Sequence, residues 1–469
     1  MLRPVSDWRD ALLQRFSFPR YERLGRNPLG WPDYVPAEVV RFGIGEIAGT
    51  KVVACVWDFA QYGGSFGELD AAAFAEAAAR AARYGEPLVS FVRSGGVRLQ
   101  EGMAALVGMP RAQLALRDLA RAGVPHLAVA DAPTTGGVFI SVVTRADLRV
   151  AVNGATVGFA GPRVVEAVTG EPLPAGSHTA ESAYEAGHVD AVVAGEQVGD
   201  WLGRALAALA ADGEPAAAAP PPEVAPPERT GGEQLTAARA PGRADGADVL
   251  TGLLTGSVPL RADGGDDTVA AVVGRLPSGA RVVGVAVAAR RGGRPTPAGY
   301  RLLRRATRLA GRLGAPLVAL VDTPGAEPGA AAEAGGIGAA IADAMDALLD
   351  CPAPTVAVVT GEGGSGGALA AACADLLLVG PDSHFAALGP EGAAAALRCT
   401  PAEAADRLGI TPRDLLALGV ADAVVPDPGA PSFAAAVAAH VAAIAAQDPD
   451  VRLAARDRRW AGGATGGLR

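Results

Sequence analysis

Two stretches place glycine where a short apolar run meets an alanine-rich one. "TGEGGSGGALAA" (Thr360–Ala371) carries five glycines, and "DAPTTGGVFIS" (Asp131–Ser141) carries two. A Walker phosphate loop needs a Lys after its glycines, and neither stretch has one. Gly361, Gly363 and Gly366 satisfy the dinucleotide pattern G-x-G-x-x-G, but "TTGG" does not. What the two share is a Gly-Gly pair, Gly136-Gly137 and Gly366-Gly367, after an expected strand and before an expected helix. Backbone N–H groups at a helix start have no intrahelical acceptor, and without Cβ atoms they can be approached closely. Aimed at an oxygen that becomes negative, they form an oxyanion hole. Tight packing of helix on strand selects glycine at the same positions, so the sequence alone leaves both readings open.

The elements that must carry these pairs alternate regularly. "KVVACVWDF", "PLVSFV", "HLAVA", "PLVALVD" and "TVAVVTG" have the continuous apolar character of buried strands. "ELDAAAFAEAAARAARYG" and "AGYRLLRRATRLAGRLG" have helical periodicity and end on glycine. Such alternation predicts parallel sheets covered by helices, with ligands beyond the carboxyl ends of the strands. Gly85 and Gly314, Pro125 and Pro354, and Pro162 and Pro390 fall in matching segments at offsets of 229, 229 and 228 positions. Three matches in order at nearly one offset indicate a duplicated domain. The Pro- and Ala-rich stretch from Ala211 to Gln234 reads as a semi-rigid linker. The expected organisation is a domain over 1–210, a linker over 211–234 and a domain over 235–469.

The composition narrows the function. Among 469 residues, half are hydrophobic and the net charge is -9, with Lys51 the only lysine. An acidic chain without a Lys/Arg run is not expected to bind nucleic acid. No uncharged apolar run reaches the ~18 residues of a membrane span. "MLRPVSDWRDALLQRF" lacks the apolar core of a signal peptide, so the expectation is a cytoplasmic protein. Cys55, Cys351, Cys373 and Cys399 are far apart, and the five His form no ligand-spaced cluster. Neither zinc nor a disulfide framework is expected.

"DFAQYGGSFGE", "SGGVRLQEGMAALVGM", "DAPTTGGV" and "GFAGPRVVE" resemble the β subunit of bacterial acetyl-CoA carboxylase carboxyltransferase. "ARAPGRADGADVL", "PTPAGYRLLRRATRLAGRLGAPLVALVDTPGAEPGAAAE" and "GEGGSGGALAAACAD" are similar to its α subunit. The resemblance covers roughly residues 21–200 and 236–427. It implies a fused β–α chain with two crotonase-like (ClpP-type) α/β domains in tandem, matching the internal repeat. It implies transfer of a carboxyl group from carboxybiotin, held on a separate biotin carboxyl carrier protein, to acetyl-CoA or another acyl-CoA. The product would be malonyl-CoA for fatty acid synthesis, with biotin carboxylase as a second partner. Gly136 and Gly137 would hold the thioester oxygen as the enolate forms, and Gly366 and Gly367 the ureido oxygen of biotin. Gly95 and Gly96 would line the acyl group, and Arg98 would face a CoA phosphate. Thr134, Thr135, Gly325, Gly363 and Gly364 would complete the substrate walls.

The resemblance also implies at least a homodimer, because the two halves of different protomers face each other in the family. No protein base is required if released biotin takes the α-proton. Asp131, Asp322 and Glu362 read best as carboxylates bracing the loops. Arg290 and Arg291 lie where a basic segment would meet CoA or the carrier, although a solvated pair fits equally. Valine at Gly136 or Gly366 is expected to abolish activity and spare the fold. "AAEAGGIG" (Ala331–Gly338) and "GGSFGELDAA" (Gly63–Ala72) depart from the family pattern by losing charged residues. No cysteine precedes Cys55, where many β subunits carry a zinc ribbon. The halves also resemble malonate decarboxylase β and γ subunits, which decarboxylate a malonyl thioester without biotin. A non-catalytic partner of a carboxyltransferase is a third reading.

Overall fold

The computed structural model describes residues 7–19, 23–211, 220–222, 224–288, 290 and 292–462. The chain forms two compact units, one ending at Ala207 and the other beginning at Ala208. Both are α/β. The first unit contains β1 (Val40–Ile47), β2 (Thr50–Trp57), β3 (Leu88–Ser94), β4 (His126–Thr135), β5 (Leu148–Val152), β6 (Val157–Gly158) and β7 (Ala191–Val193). Their order is β1-β2-β3-β4-β5-β7, with β6 paired to β4. Only β1 and β2 run antiparallel.

The second unit contains β8 (Thr255–Leu260), β9 (Val269–Arg275), β10 (Arg281–Val287), β11 (Leu317–Thr323), β12 (Thr355–Gly364), β13 (Leu376–Val379), β14 (His384–Ala386) and β15 (Ala423–Val424). The order β15-β13-β12-β11-β10-β9-β8, with β14 on β12, repeats the first sheet and adds β8 at one edge. The duplication therefore holds strand by strand. Leu88 pairs with His126 in the first unit and Leu317 with Thr355 in the second, and both register pairs are related by 229 positions.

The helices start and stop where local chemistry requires. Glu68–Tyr84 opens with the Asp70 carboxylate accepting the Gly67 N–H at 2.7 Å and closes on left-handed Gly85. Pro297–Leu313 begins with Pro at its first position and closes on left-handed Gly314. No helix among the described residues is long and apolar enough to cross a membrane.

The C-terminal part of the expected linker is not a free spacer. Val224 bridges to Val424, the Arg229 guanidinium meets Asp382 at 2.6 Å, and Gln234 is fully buried. A helix already starts at Gly231, capped by the Thr230 side chain. Residues 212–219 and 223 of that stretch lie outside the described residues.

A buried ion cluster ties the last helix (Pro449–Gly462) to the second sheet. The Asp375 carboxylate accepts from Arg452 at 2.9 Å and from Arg456 at 2.7 and 2.8 Å. It also accepts the Thr355 N–H, at the first residue of β12, at 2.7 Å. Remaining guanidinium donors go to the Ala353 and Cys351 carbonyls.

Candidate active site

Both sheets end their central strands in the same construction. β4 stops at Thr135, and Gly136 follows with φ 69°. β12 stops at Gly364, and Ser365 follows with φ 57°. A left-handed serine costs roughly 1–2 kcal/mol, and such strain is kept where the turn itself matters. Ser94 pairs with Thr134, and Thr323 with Gly363, so the 229 offset persists to the turn. The two turns are therefore equivalent as Gly136-Gly137 and Ser365-Gly366, one residue away from the Gly-Gly match read in the sequence. Sheet register fixes the equivalence, whereas the eye aligns glycines.

Beside each turn lies a second glycine at the end of the neighbouring strand. Gly96 has φ 116° and Gly325 φ 130°. The Ser94 hydroxyl accepts the Gly96 N–H at 3.1 Å, and the Thr323 hydroxyl accepts that of Gly325 at 3.2 Å. The same hydroxyl two residues upstream thus sets the orientation of both peptides.

The five glycines of "GEGGSGG" do different work. A Cβ at Gly361 would lie 2.1 Å from the Asp322 carboxylate, and at Gly363 2.2 Å from the Phe385 ring. At Gly364 it would lie 2.2 Å from the Pro324 carbonyl carbon, and at Gly367 2.5 Å from the Ala326 nitrogen. These four are packing glycines. Gly366 alone of the five faces open space, with nothing within 4 Å of an added Cβ. Its N–H lies in the first turn of the Ser365–Ala372 helix and has no intrahelical acceptor. In the first unit both glycines are crowded. A Cβ at Gly136 would meet the Gly96 Cα at 2.8 Å, and one at Gly137 the Met109 sulfur at 2.7 Å. Valine at Gly136 would therefore disturb the fold, contrary to the sequence expectation, whereas at Gly366 the fold has room for it.

Several expected substrate residues serve the scaffold instead. Arg98 is fully buried. Its guanidinium meets Asp70 at 2.6 Å, Glu101 at 3.3 Å and the Ala37 carbonyl at 2.7 Å. It does not face a CoA phosphate; with Asp70 it joins the Glu68–Tyr84 helix to the loop after β3. Arg98→Lys is expected to lower unfolding free energy by about 2 kcal/mol, because the planar fork serving several acceptors is lost. Its KM for acyl-CoA should stay unchanged; a raised KM with an unchanged melting temperature would restore the CoA role.

The Thr134 hydroxyl donates to the Val92 and Asp131 carbonyls at 3.0 and 2.7 Å, and the Thr135 hydroxyl to the Ser94 carbonyl at 3.4 Å. Both side chains are buried braces between β3 and β4, not substrate contacts. The Gly95 N–H is taken by the Gly63 carbonyl at 3.0 Å. Arg290 pairs with Asp267 at 3.5 Å on the surface. Arg291 lies outside the described residues.

The second turn is braced by Asp322 and Glu362, as the sequence suggested, together with Arg239, Arg243 and Tyr300, which sequence reading passed over. The Asp322 carboxylate accepts the Glu362 N–H at 2.7 Å. Arg243 bonds to Asp322, to the Thr360 carbonyl and to the Asp382 carbonyl. Arg239 holds Glu362 at 2.8 and 3.0 Å and also reaches Glu391. That ion pair keeps the Glu391 carboxyl below its ordinary pKa. The Tyr300 hydroxyl donates to the Gly367 carbonyl at 3.1 Å. The available signal was two arginines four apart in "ARAPGRADG", opposite two loop carboxylates with no other sequence partner.

His384, on β14 opposite Glu362, is buried, and burial pushes its pKa down to about 4. The unfolded chain binds this proton with an ordinary pKa near 6.5, while the folded chain refuses it until about pH 4. Stability therefore falls as pH drops between those values, by on the order of 3 kcal/mol in total. Urea midpoints from pH 7 to 4.5 should show a smaller decline in His384→Phe than in the wild type; equal declines would exclude His384 as the source. Among the described residues, no group of His, Cys, Asp and Glu could hold a metal ion.

Comparison with known proteins agrees with this architecture. A family model described as acetyl co-enzyme A carboxylase carboxyltransferase-like matches residues 230–448. The fused acetyl-coenzyme A carboxylase carboxyl transferase subunits beta/alpha of Salinispora tropica is 38% identical over 441 residues, covering 86% of this chain and 78% of that one. A probable biotin-dependent acyl-coenzyme A carboxylase beta3 subunit of Mycobacterium tuberculosis is 35% identical over 441 residues, covering 90% of this chain and 88% of that one. Among solved structures, transcarboxylase 12S, with methylmalonyl-coenzyme A and methylmalonic acid bound, matches at a TM-score of 0.77 and 26% identity, covering 94% of this chain and 90% of that one. Two crotonase-like units with equivalent strand–helix turns, and relatives along nearly the whole chain, place this protein in the acetyl-CoA carboxylase carboxyltransferase family, as a fused β/α chain.

Proposed function

We propose that this carboxyltransferase moves the carboxyl group of carboxybiotin, presented on a separate carrier protein, to the α-carbon of an acyl-CoA, with acetyl-CoA the first substrate to test. The observation that carries the assignment is the duplicated turn. Each unit sets a left-handed residue and an unpaired helix-start N–H beside a glycine peptide oriented by an upstream hydroxyl. Two developing negative oxygens need two donor sets, and two equivalent turns support that reading.

In this reading the first unit, through Gly137 and Gly96, polarises the thioester oxygen and stabilises the enolate. The second unit, through Gly366 and Gly325, receives the ureido oxygen. The open space at Gly366 suits a group that arrives on a carrier and leaves again. Carboxybiotin supplies the carboxyl group and accepts the α-proton, so the chain's residues hold and polarise oxygens and need not move a proton. A lost oxyanion donor typically costs ~100- to 1,000-fold in kcat.

Homo-oligomerisation belongs to the same proposal. The Met103–Arg121 helix leaves Met103, Val107 and Leu114 half or more exposed along one face, an apolar strip that a second copy could cover. The matching transcarboxylase 12S is described as a hexamer assembly. Light scattering should show at least a dimer; an active monomer would refute this part.

Purified protein incubated with malonyl-CoA and biocytin should give biocytin-dependent carboxyl exchange. Carbon dioxide release that is indifferent to biocytin would replace this function with a malonyl-thioester decarboxylase.

A further inference from the structure

We infer that Arg294 is a substrate-contacting cation of the second turn, binding the carboxylate of the transferred group while that group is on biotin. The inference rests on the carboxyl-transfer reading above.

The position of Arg294 is set by the backbone on both sides. The Thr323 hydroxyl, which accepts the Gly325 N–H, also donates to the Gly293 carbonyl at 2.8 Å. On the other side, the Glu327 N–H donates to the Pro295 carbonyl at 3.0 Å. Arg294 is thus held between two hydrogen bonds to the loop that follows β11. Its guanidinium reaches Gly325, with a terminal nitrogen 3.7 Å from where a Cβ of that glycine would stand. Gly325 has φ 130° and no side chain, so nothing of its own separates this cation from the oriented peptide.

The charge is unspent. Arg294 is exposed and has no ion-pair or hydrogen-bond partner among the described residues. By contrast, Arg239 and Arg243, which brace the same turn, are committed to Glu362, Glu391 and Asp322. Among the described residues, no cation stands so near the equivalent glycine of the first unit. The Cβ direction of Gly96 faces only the Gly136 Cα at 3.5 Å and the Thr135 carbonyl at 3.8 Å. A cation at one turn and none at the other distinguishes their ligands. The thioester oxygen becomes negative only during reaction, whereas the donor carries a full carboxylate from the start. A guanidinium presents a planar fork that matches a carboxylate with two parallel hydrogen bonds. Gly325 and Gly366 then serve the neighbouring ureido oxygen.

The test uses the full-length protein with malonyl-CoA and biocytin. Arg294→Ala should lower kcat for carboxyl exchange by ~10- to 100-fold, the range for losing a charge-assisted hydrogen bond. The KM for malonyl-CoA and the melting temperature should not change. Arg294→Lys should recover only part of the rate, and guanidinium ion at non-denaturing concentration should rescue Arg294→Ala while leaving the wild type unaffected. A kcat within twofold of wild type, or a loss confined to the KM for malonyl-CoA, overturns the assignment and leaves the carboxyl-transfer reading standing. A wild type without biocytin-dependent exchange overturns both.

Discussion

Gly366→Val is expected to reduce carboxyl exchange by ~100-fold or more while the melting temperature stays within about 2 °C of wild type. The first part follows from position. The Cβ would project into an open side of the second turn, beside a helix-start N–H with no intrahelical acceptor. The second part follows from clearance, since nothing lies within 4 Å and the residue sits in the first turn of a helix. Gly366→Ala grades the effect and should be intermediate. Gly364→Ala is the control with the opposite signature: its Cβ would strike the Pro324 carbonyl carbon at 2.2 Å, so activity and stability should fall together. Full activity in Gly366→Val would remove the ureido-oxygen role from this turn.

Asp375→Ala should have the largest effect on stability, about 3–5 kcal/mol, because it leaves two arginines buried without their counter-charge. For a unit of this size that is a fall in melting temperature of roughly 6–20 °C. Arg452→Met should cost less, since Arg456 still neutralises the carboxylate through two hydrogen bonds. Calorimetry of both variants tests the order; equal losses would mean that the pairing itself is not what anchors the last helix. If Asp375→Ala does not fold, Arg452→Met still discriminates by its magnitude.

These two residues show how unevenly the sequence discloses its physics. The "GEGGSGG" loop is visible at once, and "DTPG" and "SGGV" locate the partner loops. Asp375 is unremarkable in "CADLLL", and its partners Arg452 and Arg456 are 77 and 81 positions away in a charged helix. Arg98 erred in the other direction. The family resemblance implied a place for it at a CoA phosphate, but Asp70, 28 positions earlier, consumes it.

By itself the sequence determined what depends on neighbours along the chain. Apolar runs specified β3, β4, β11 and β12; glycines at 85 and 314 ended the covering helices; a near-constant offset disclosed the duplication. The location of the candidate site at the ends of those strands follows from the same local signals. Only the tertiary structure decided which glycine faces space, which residues of the two turns correspond, and which arginines remain uncommitted. Clearance at a Cβ is a distance to atoms brought in from other strands, and an ion pair is a competition among distant groups. Gly364 and Gly366 are two residues apart and identical in type, yet one is closed by Pro324 and the other open. Arg243 and Arg294 both lie near the second turn, yet Asp322 holds one and no described residue holds the other.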